Sequence, residues 1–255
     1  MQDRRSECFK RFVWFWARQA MRRKFYNVLA WNTDILASAV QKSPVIVFSN
    51  HGSWWDAFVD HMVERSFRLN HYSLVDDRTL EAQGWLEKIG ALPIDLRSVR
   101  GAVAGLRAAR EFLQGPAGDR GYPALLIFPQ GQIVPAWKRP FGFHGGLAWL
   151  KKNVPQACLI PLARRYEFLN EDRPQIFLHF GHVLRDVPAG LAEDALTAWL
   201  EERLAETMVL LESKIEVANT AEASVLLQGG WSLNKKWEWF KRCLTGKTRG
   251  FDPRN

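Results

Sequence analysis

Cysteine is scarce in this chain, and no two cysteines lie close enough to act together. Cys8, Cys158 and Cys243 are an odd number at wide spacings without a Cys-x-x-Cys pair, which argues against a disulfide framework and a cysteine-based zinc or redox motif. Such usage fits a reducing compartment. Long apolar runs are missing as well. Arg18, Arg22, Arg23 and Lys24 interrupt the N-terminal aromatic stretch well before the ~18 to 20 residues that a membrane-spanning helix needs. Phe12 to Ala17 is shorter than the ~7-residue apolar core of a secretory signal and leads into more arginine. Internal repeats and low-complexity linkers are also absent, so one globular domain with terminal extensions is expected.

What is present can build a full core: 47% of the 255 residues are hydrophobic and 24% are charged. A formal charge of +8 suits nucleic acid or an anionic lipid surface equally. Tryptophan separates the two. Many of the 12 tryptophans lie near the chain ends beside Lys and Arg, the pairing that settles at a lipid headgroup layer. The same mixture can stack on single-stranded bases, but it is read here as a membrane surface, with no nucleic acid partner.

Pro44-Val45-Ile46-Val47-Phe48-Ser49 is a short, β-branched apolar run opened by proline, as expected of a strand buried on both faces of a sheet. Ala91 to Ile94, Ala124 to Phe128, Cys158 to Ala163 and Ile176 to Phe180 read the same way. Between and after them, Val99 to Leu113, Phe143 to Lys152 and Leu191 to Ile215 have helical character. The alternation predicts an α/β fold: a mixed, largely parallel central sheet flanked by helices. Phe9 to Trp31 reads as one or two amphipathic interfacial helices, and Trp231 to Arg242 as a short basic helix with an aromatic face. The expected organisation is an amphipathic helical segment over 1–42, the main domain over 43–218, and a basic, Trp-rich segment over 219–255.

Asn50-His51-Gly52-Ser53-Trp54-Trp55-Asp56 follows the first of these strands directly. A histidine with a carboxylate nearby is what a general base requires, because the acid fixes the imidazole tautomer and stabilises the imidazolium formed on proton uptake. Five residues apart on one helix, the two would sit roughly 140° around the axis and would not meet. With His51 ahead of a helix capped by Ser53, and Asp56 in its first turns, the chain can fold back so that they touch. The spacing alone is weak, since His71 and Asp76 repeat it without the preceding Asn or the strand-to-helix context. A His-x-x-His spacing at His179 and His182 suggests no metal either, because residues three apart on a strand face opposite ways.

The stretch from Pro44 to Phe58 resembles the first motif of the glycerolipid (lysophospholipid) acyltransferases, Asn-His-x-x-x-x-Asp after a strand. Gly90-Ala91-Leu92-Pro93-Ile94-Asp95-Leu96-Arg97 is similar to the family's second motif with its arginine one residue late, and Phe128-Pro129-Gln130-Gly131 to its Phe-Pro-Glu-Gly motif. Further segments in family order carry the likeness to about residue 165. The resemblance implies that His51 deprotonates an acceptor hydroxyl that attacks the thioester of acyl-CoA or acyl carrier protein, and that Asp56 orients His51. It also implies that Asn50, Ser53, Arg97, Phe128, Pro129, Gln130 and Gly131 serve substrate binding, with no metal or organic cofactor.

Two departures bear on the acceptor. Gln130 stands where a glutamate is usual, and Gln132-Ile133-Val134 replaces Thr-Arg-Ser, removing a cation expected to hold a phosphate; Lys138 and Arg139 are the nearest substitutes in sequence. A lysophosphatidate-type lipid acceptor is the first expectation. A glycolipid or carotenoid glycoside is the alternative, and a membrane-binding protein that has lost catalysis is a third. The expected location is peripheral, on the cytoplasmic face of the inner membrane.

Overall fold

A computed structural model of the chain describes residues 5–185, 187–188, 190–217, 220 and 222–245. In chain order the elements are α1 (Glu7–Lys24), β1 (Asn27–Trp31), α2 (Thr33–Ala39), β2 (Val45–Ser49), α3 (Asp56–Phe67), β3 (Asn70–Asp76), α4 (Asp77–Ala82), a 3-10 turn (Gly84–Ile89), β4 (Ala91–Ile94), α5 (Val99–Leu113), β5 (Pro123–Ile127), α6 (Gly146–Asn153), β6 (Cys158–Glu167), β7 (Gln175–Phe180), α7 (Glu193–Glu216), β8 (Ser224–Gln228) and α8 (Leu233–Leu244). The strands form one sheet in the order β4-β3-β5-β2-β6-β7-β1-β8. β6–β7 and β1–β8 pair antiparallel and the other neighbours pair parallel, the mixed α/β architecture expected from the alternation of runs.

Every residue of β2 is buried, and the reason is visible on its two faces. Val45 and Val47 enter a core shared with α1, α2 and α3, while Ile46 and Phe48 enter a second core shared with α5, α6 and α7. A strand covered on both sides needs apolar side chains at successive positions, which is why the run reads as continuous rather than alternating. The helices supply matching stripes. α7 buries Leu196, Leu200, Leu204, Met208 and Leu211, a helical repeat that presents one ridge to the sheet. α5 begins where the Ser98 side chain accepts the Gly101 N–H.

The terminal segments differ from expectation. α1 ends at Lys24, and Asn27–Trp31 is a wholly buried strand between β7 and β8, not a continuation of an interfacial helix. Tyr26, Val28, Leu29, Ala30 and Trp31 are all buried; no polar face recurs at helical spacing, so the run pairs as a strand and Trp31 stacks on Phe177 at 6.2 Å. β8, from the C-terminal segment, closes the same edge. The boundaries at 42/43 and 218/219 therefore do not divide the sheet from its extensions. β3 was also not among the expected strands: His71 and Ser73 interrupt its apolar character on one face, whereas Tyr72 and Leu74 pack on the other.

α1 and α8 keep the amphipathic character read from the sequence. Val13, Ala17 and Met21 of α1 are buried, while Phe12, Phe15 and Trp16 are exposed. No residue of α8 is buried, and Leu233, Trp237, Trp239, Phe240 and Leu244 all face outward. Gly230 N–H donates to Arg22 O at 3.2 Å, so α8 starts beside the end of α1. None of the described helices is long and apolar enough to cross a membrane.

Candidate active site

His51 leaves the carboxyl end of β2, and Asp56 opens α3. The connection doubles back as anticipated: His51 Nδ1 lies 2.8 Å from Asp56 Oδ2. The same oxygen accepts the backbone N–H groups of Gly52 and Ser53, each at 3.0 Å, so Asp56 organises the very loop that presents His51. Ser53 takes a smaller part than a helix cap, with its Oγ accepting from Trp55 N–H at 3.2 Å ahead of α3.

β6 contributes two residues that the sequence did not single out. Tyr166 O–H donates to Asp56 Oδ1 at 2.6 Å. Arg164, 1% exposed, donates from Nη1 to Asp56 O at 3.3 Å, lies 3.7 Å from Asp56 Oδ1, and pairs through Nη2 with Asp60. Burial pushes the Asp56 carboxyl toward protonation, but the His51 hydrogen bond, the Arg164 charge and the Tyr166 hydroxyl outweigh it and hold the group below its ordinary range. Burial and the Asp56 charge push the Tyr166 phenol well above its usual value, so it remains a donor. An ionised Asp56 accepts from Nδ1, which leaves His51 Nε2 as the nitrogen with a free lone pair in the neutral ring. Arg164 and Tyr166 carry no local sequence signal of this role; only the register of β6 beside β2 brings them here.

The His51 ring stacks on Phe128 at 4.2 Å, and the Arg164 guanidinium lies 4.9 Å from the centre of the same ring. Phe128, Pro129 and Gly131 join His51 in lining a cavity of ≈ 790 Å³. Gly131 adopts φ 66°, a left-handed conformation that favours glycine, and a β-carbon there would lie 3.3 Å from the His144 and Leu96 side chains. Gln130 is buried and points away from the cavity. Its Oε1 accepts His51 N–H at 2.7 Å and its Nε2 donates to Phe141 O at 3.2 Å, tying the His51 loop to the segment beyond. Replacing Gln130 with Glu is expected to cost about 1–3 kcal/mol of stability, because a carboxylate can accept from His51 N–H but sets acceptor against acceptor at Phe141 O. An unchanged denaturant midpoint would refute that role.

Other expected substrate contacts are placed elsewhere. Asn50 is buried with both ends of its amide bonded to the Arg164 backbone, at 3.0 and 2.9 Å, extending the β2–β6 pairing instead of facing substrate. Arg97 does not line the cavity. Its side chain is about half exposed and bonds Asp95 at 2.9 Å; β4 stops at Ile94, and the Asp95 carboxylate, which also accepts Arg97 N–H, draws the arginine into the following turn. Lys138 and Arg139 are likewise outside the cavity wall, with Arg139 donating to Ala136 O and Lys138 O. His71 and Asp76 are apart: His71 bonds Ser73, and Asp76 caps α4.

The chain matches no family model and none of the curated proteins. Its structure is similar to the crystal structure of the 1-acyl-sn-glycerophosphate (LPA) acyltransferase PlsC from Thermotoga maritima. The TM-score is 0.52 at 18% sequence identity, over 81% of this chain and 77% of that one. The fold is glycerolipid acyltransferase-like. At that identity the likeness shows the fold alone. The site sits at the carboxyl ends of β2 and β5, where open α/β sheets commonly assemble their binding crevices.

Proposed function

We propose that the protein is an acyltransferase that moves a fatty acyl group from acyl-CoA or acyl carrier protein to a hydroxyl of a lipid acceptor. The observation that carries this reading is the His51–Asp56 pair, 2.8 Å apart, with His51 in the wall of a large, mostly apolar cavity. His51 Nε2 takes the acceptor proton as its oxygen attacks the thioester carbonyl. The tetrahedral intermediate then collapses, and the departing thiolate recovers the proton from the imidazolium. Asp56, held ionised by Arg164 and Tyr166, fixes the reactive tautomer and stabilises the charge that develops on the ring. The test is thiol release and ester formation by purified protein across an acceptor panel; absence of both with every donor overturns the reading.

A neutral acceptor is favoured over lysophosphatidate by the placement of the cations. Arg97 lies outside the cavity wall on Asp95, Arg164 is engaged by Asp56 and Asp60, and Arg78, which lines the cavity, is paired with Asp76 at 2.8 Å. A glycolipid-type acceptor needs no phosphate clamp. Strong preference for lysophosphatidate in the same panel defeats that choice.

The exposed aromatic faces of α1 and α8, with Arg18, Arg22, Lys236 and Lys241 nearby in sequence, support peripheral binding to an anionic lipid surface. The double change Trp237→Asp and Phe240→Asp is expected to weaken co-sedimentation with phosphatidylglycerol-containing vesicles at least roughly tenfold, from the loss of apolar insertion. Unchanged partitioning argues against α8 as a contact.

A further inference from the structure

Large apolar side chains are exposed in the loops at one end of the sheet and not in those at the other. β2, β4, β5 and β6 belong to the parallel part of the sheet, so the loops that follow them leave from a common edge, the one that carries His51. Each of these loops exposes at least one large apolar residue: Trp54 after β2, Leu96 after β4, Ile133 and Trp137 after β5, Phe168 and Leu169 after β6. Trp137 is 75% exposed and Phe168 69%. The loops that enter β2, β5 and β6 from the opposite edge, 40–44, 114–122 and 154–157, expose none among the described residues. Apolar residues exposed singly and at random need no explanation, but they would not sort by edge.

Trp54, Leu96 and Ile133 also line the cavity. Wall residues that are themselves exposed mark where a cavity opens, so the opening lies within this apolar rim. Positive charge accompanies the rim: Arg97 and Arg100 near Leu96, and Lys138 and Arg139 beside Trp137, are all exposed. The rim is also continuous with α8. At the β6–β7 hairpin, Asp172 Oδ1 accepts Leu233 N–H at 2.9 Å and Glu171 lies 3.7 Å from Lys235, so the tip carrying Phe168 and Leu169 stands beside the start of that helix.

We infer that this edge is the surface laid against an anionic lipid layer, with Trp137 and the Phe168–Leu169 tip inserted around the opening of the cavity. Tryptophan and phenylalanine interleaved with arginine and lysine match a headgroup layer in both polarity and charge. The apolar residues project singly from four separate loops around an opening. A protein partner would need a packed, complementary surface over that outline, whereas a fluid lipid layer yields to it. The cavity then opens toward the lipid, and a lipid substrate need not cross water to reach His51. The choice of lipid as occupant rests on the peripheral-binding reading of α1 and α8; the position of the contact rests on the sorting of the loops.

Hydrogen exchange of the full chain, with and without phosphatidylglycerol-containing vesicles, reads the contact without any substitution. Segments 131–139 and 167–173 are expected to be protected by the vesicles, and 114–122 to exchange as before. Trp137→Asp and Phe168→Asp should each weaken co-sedimentation with the same vesicles at least roughly fivefold, from the loss of apolar insertion. Val209→Asp, at an exposed apolar position of α7 away from these loops, should leave sedimentation unchanged. Protection confined to α1 and α8, or undiminished sedimentation of both rim variants, overturns this orientation and leaves the two helices as the contacts. Protection of 114–122 by lipid overturns it as well. Protection of the rim that grows with protein concentration in the absence of lipid gives the edge to a second copy of the chain and overturns the lipid occupant. Absence of any vesicle binding refutes peripheral binding itself. None of these measurements requires turnover, so their outcome is separate from that of the acyl-transfer assay.

Discussion

Replacing His51 with Ala is expected to lower kcat for acyl transfer by roughly 10²–10⁴-fold, the usual contribution of a positioned general base, while the protein remains folded. The ring is partly exposed at the cavity wall, and its side-chain contacts are one face of Phe128 and the Asp56 carboxylate. The structural role at this position belongs to the backbone, whose N–H is held by Gln130 and whose carbonyl accepts Val134 N–H at 2.8 Å; alanine keeps both bonds. Asp56→Asn should lose comparable activity and also lose stability, since Tyr166 and Arg164 lose the Asp56 charge and Arg164 keeps only Asp60. Thiol release measured beside circular dichroism distinguishes the two effects. Retention of most activity by folded His51→Ala would sink the catalytic assignment.

Arg164→Met should be the most damaging change outside the cavity wall, with about 3–5 kcal/mol lost, as when one partner of a buried ion pair is removed. The guanidinium is closed off from solvent and compensates Asp56 and Asp60 together, so methionine fills similar space but strands two carboxylates. The pH dependence follows from their shifts. In the parent protein the depressed Asp56 pKa contributes stability that is full above the unfolded carboxylate value, near ~4, and is lost as pH falls through the folded value. Asp60 already lies on the raised side because of burial, and loss of Arg164 lifts both groups further. A raised folded pKa favours the protonated native state, so the variant's deficit should grow as pH rises from 5 to 7. Denaturant unfolding at the two pH values reads this directly; an equal deficit at both would refute the charge-compensation account.

Much of the fold was legible because its central strands are covered on both sides. Val45 to Phe48 and Ala124 to Ile127 announce burial by continuous apolar character, and α5 by a stripe bounded by Ser98. The exceptions have physical causes. β3 mixes histidine and serine with its apolar residues because one of its faces borders the cavity, and β1 hides among aromatics that could equally cover an amphipathic helix. Within the site, His51 and Asp56 were legible because a turn of five residues is a local event. Phe128 and Gly131 line the cavity. Gln130 and Asn50 bind backbone, a distinction that residue type does not reveal, and Arg97 was captured by a near neighbour, Asp95. Arg164 and Tyr166 were out of reach, because their approach to Asp56 depends on strand register across more than one hundred residues.

The insertion of β1 between β7 and β8 changes how the N-terminal helix can be separated from the rest. A truncation near residue 42 would not trim an appendage from a finished domain; it would remove a fully buried strand, expose the edges of its two neighbours, and leave Glu64 in the interior without the Lys10 ammonium. Such a fragment would be prone to aggregate through its open edges. A more soluble form is better sought by recolouring the outer surface of α1, at Phe12, Phe15 and Trp16, with the chain kept whole.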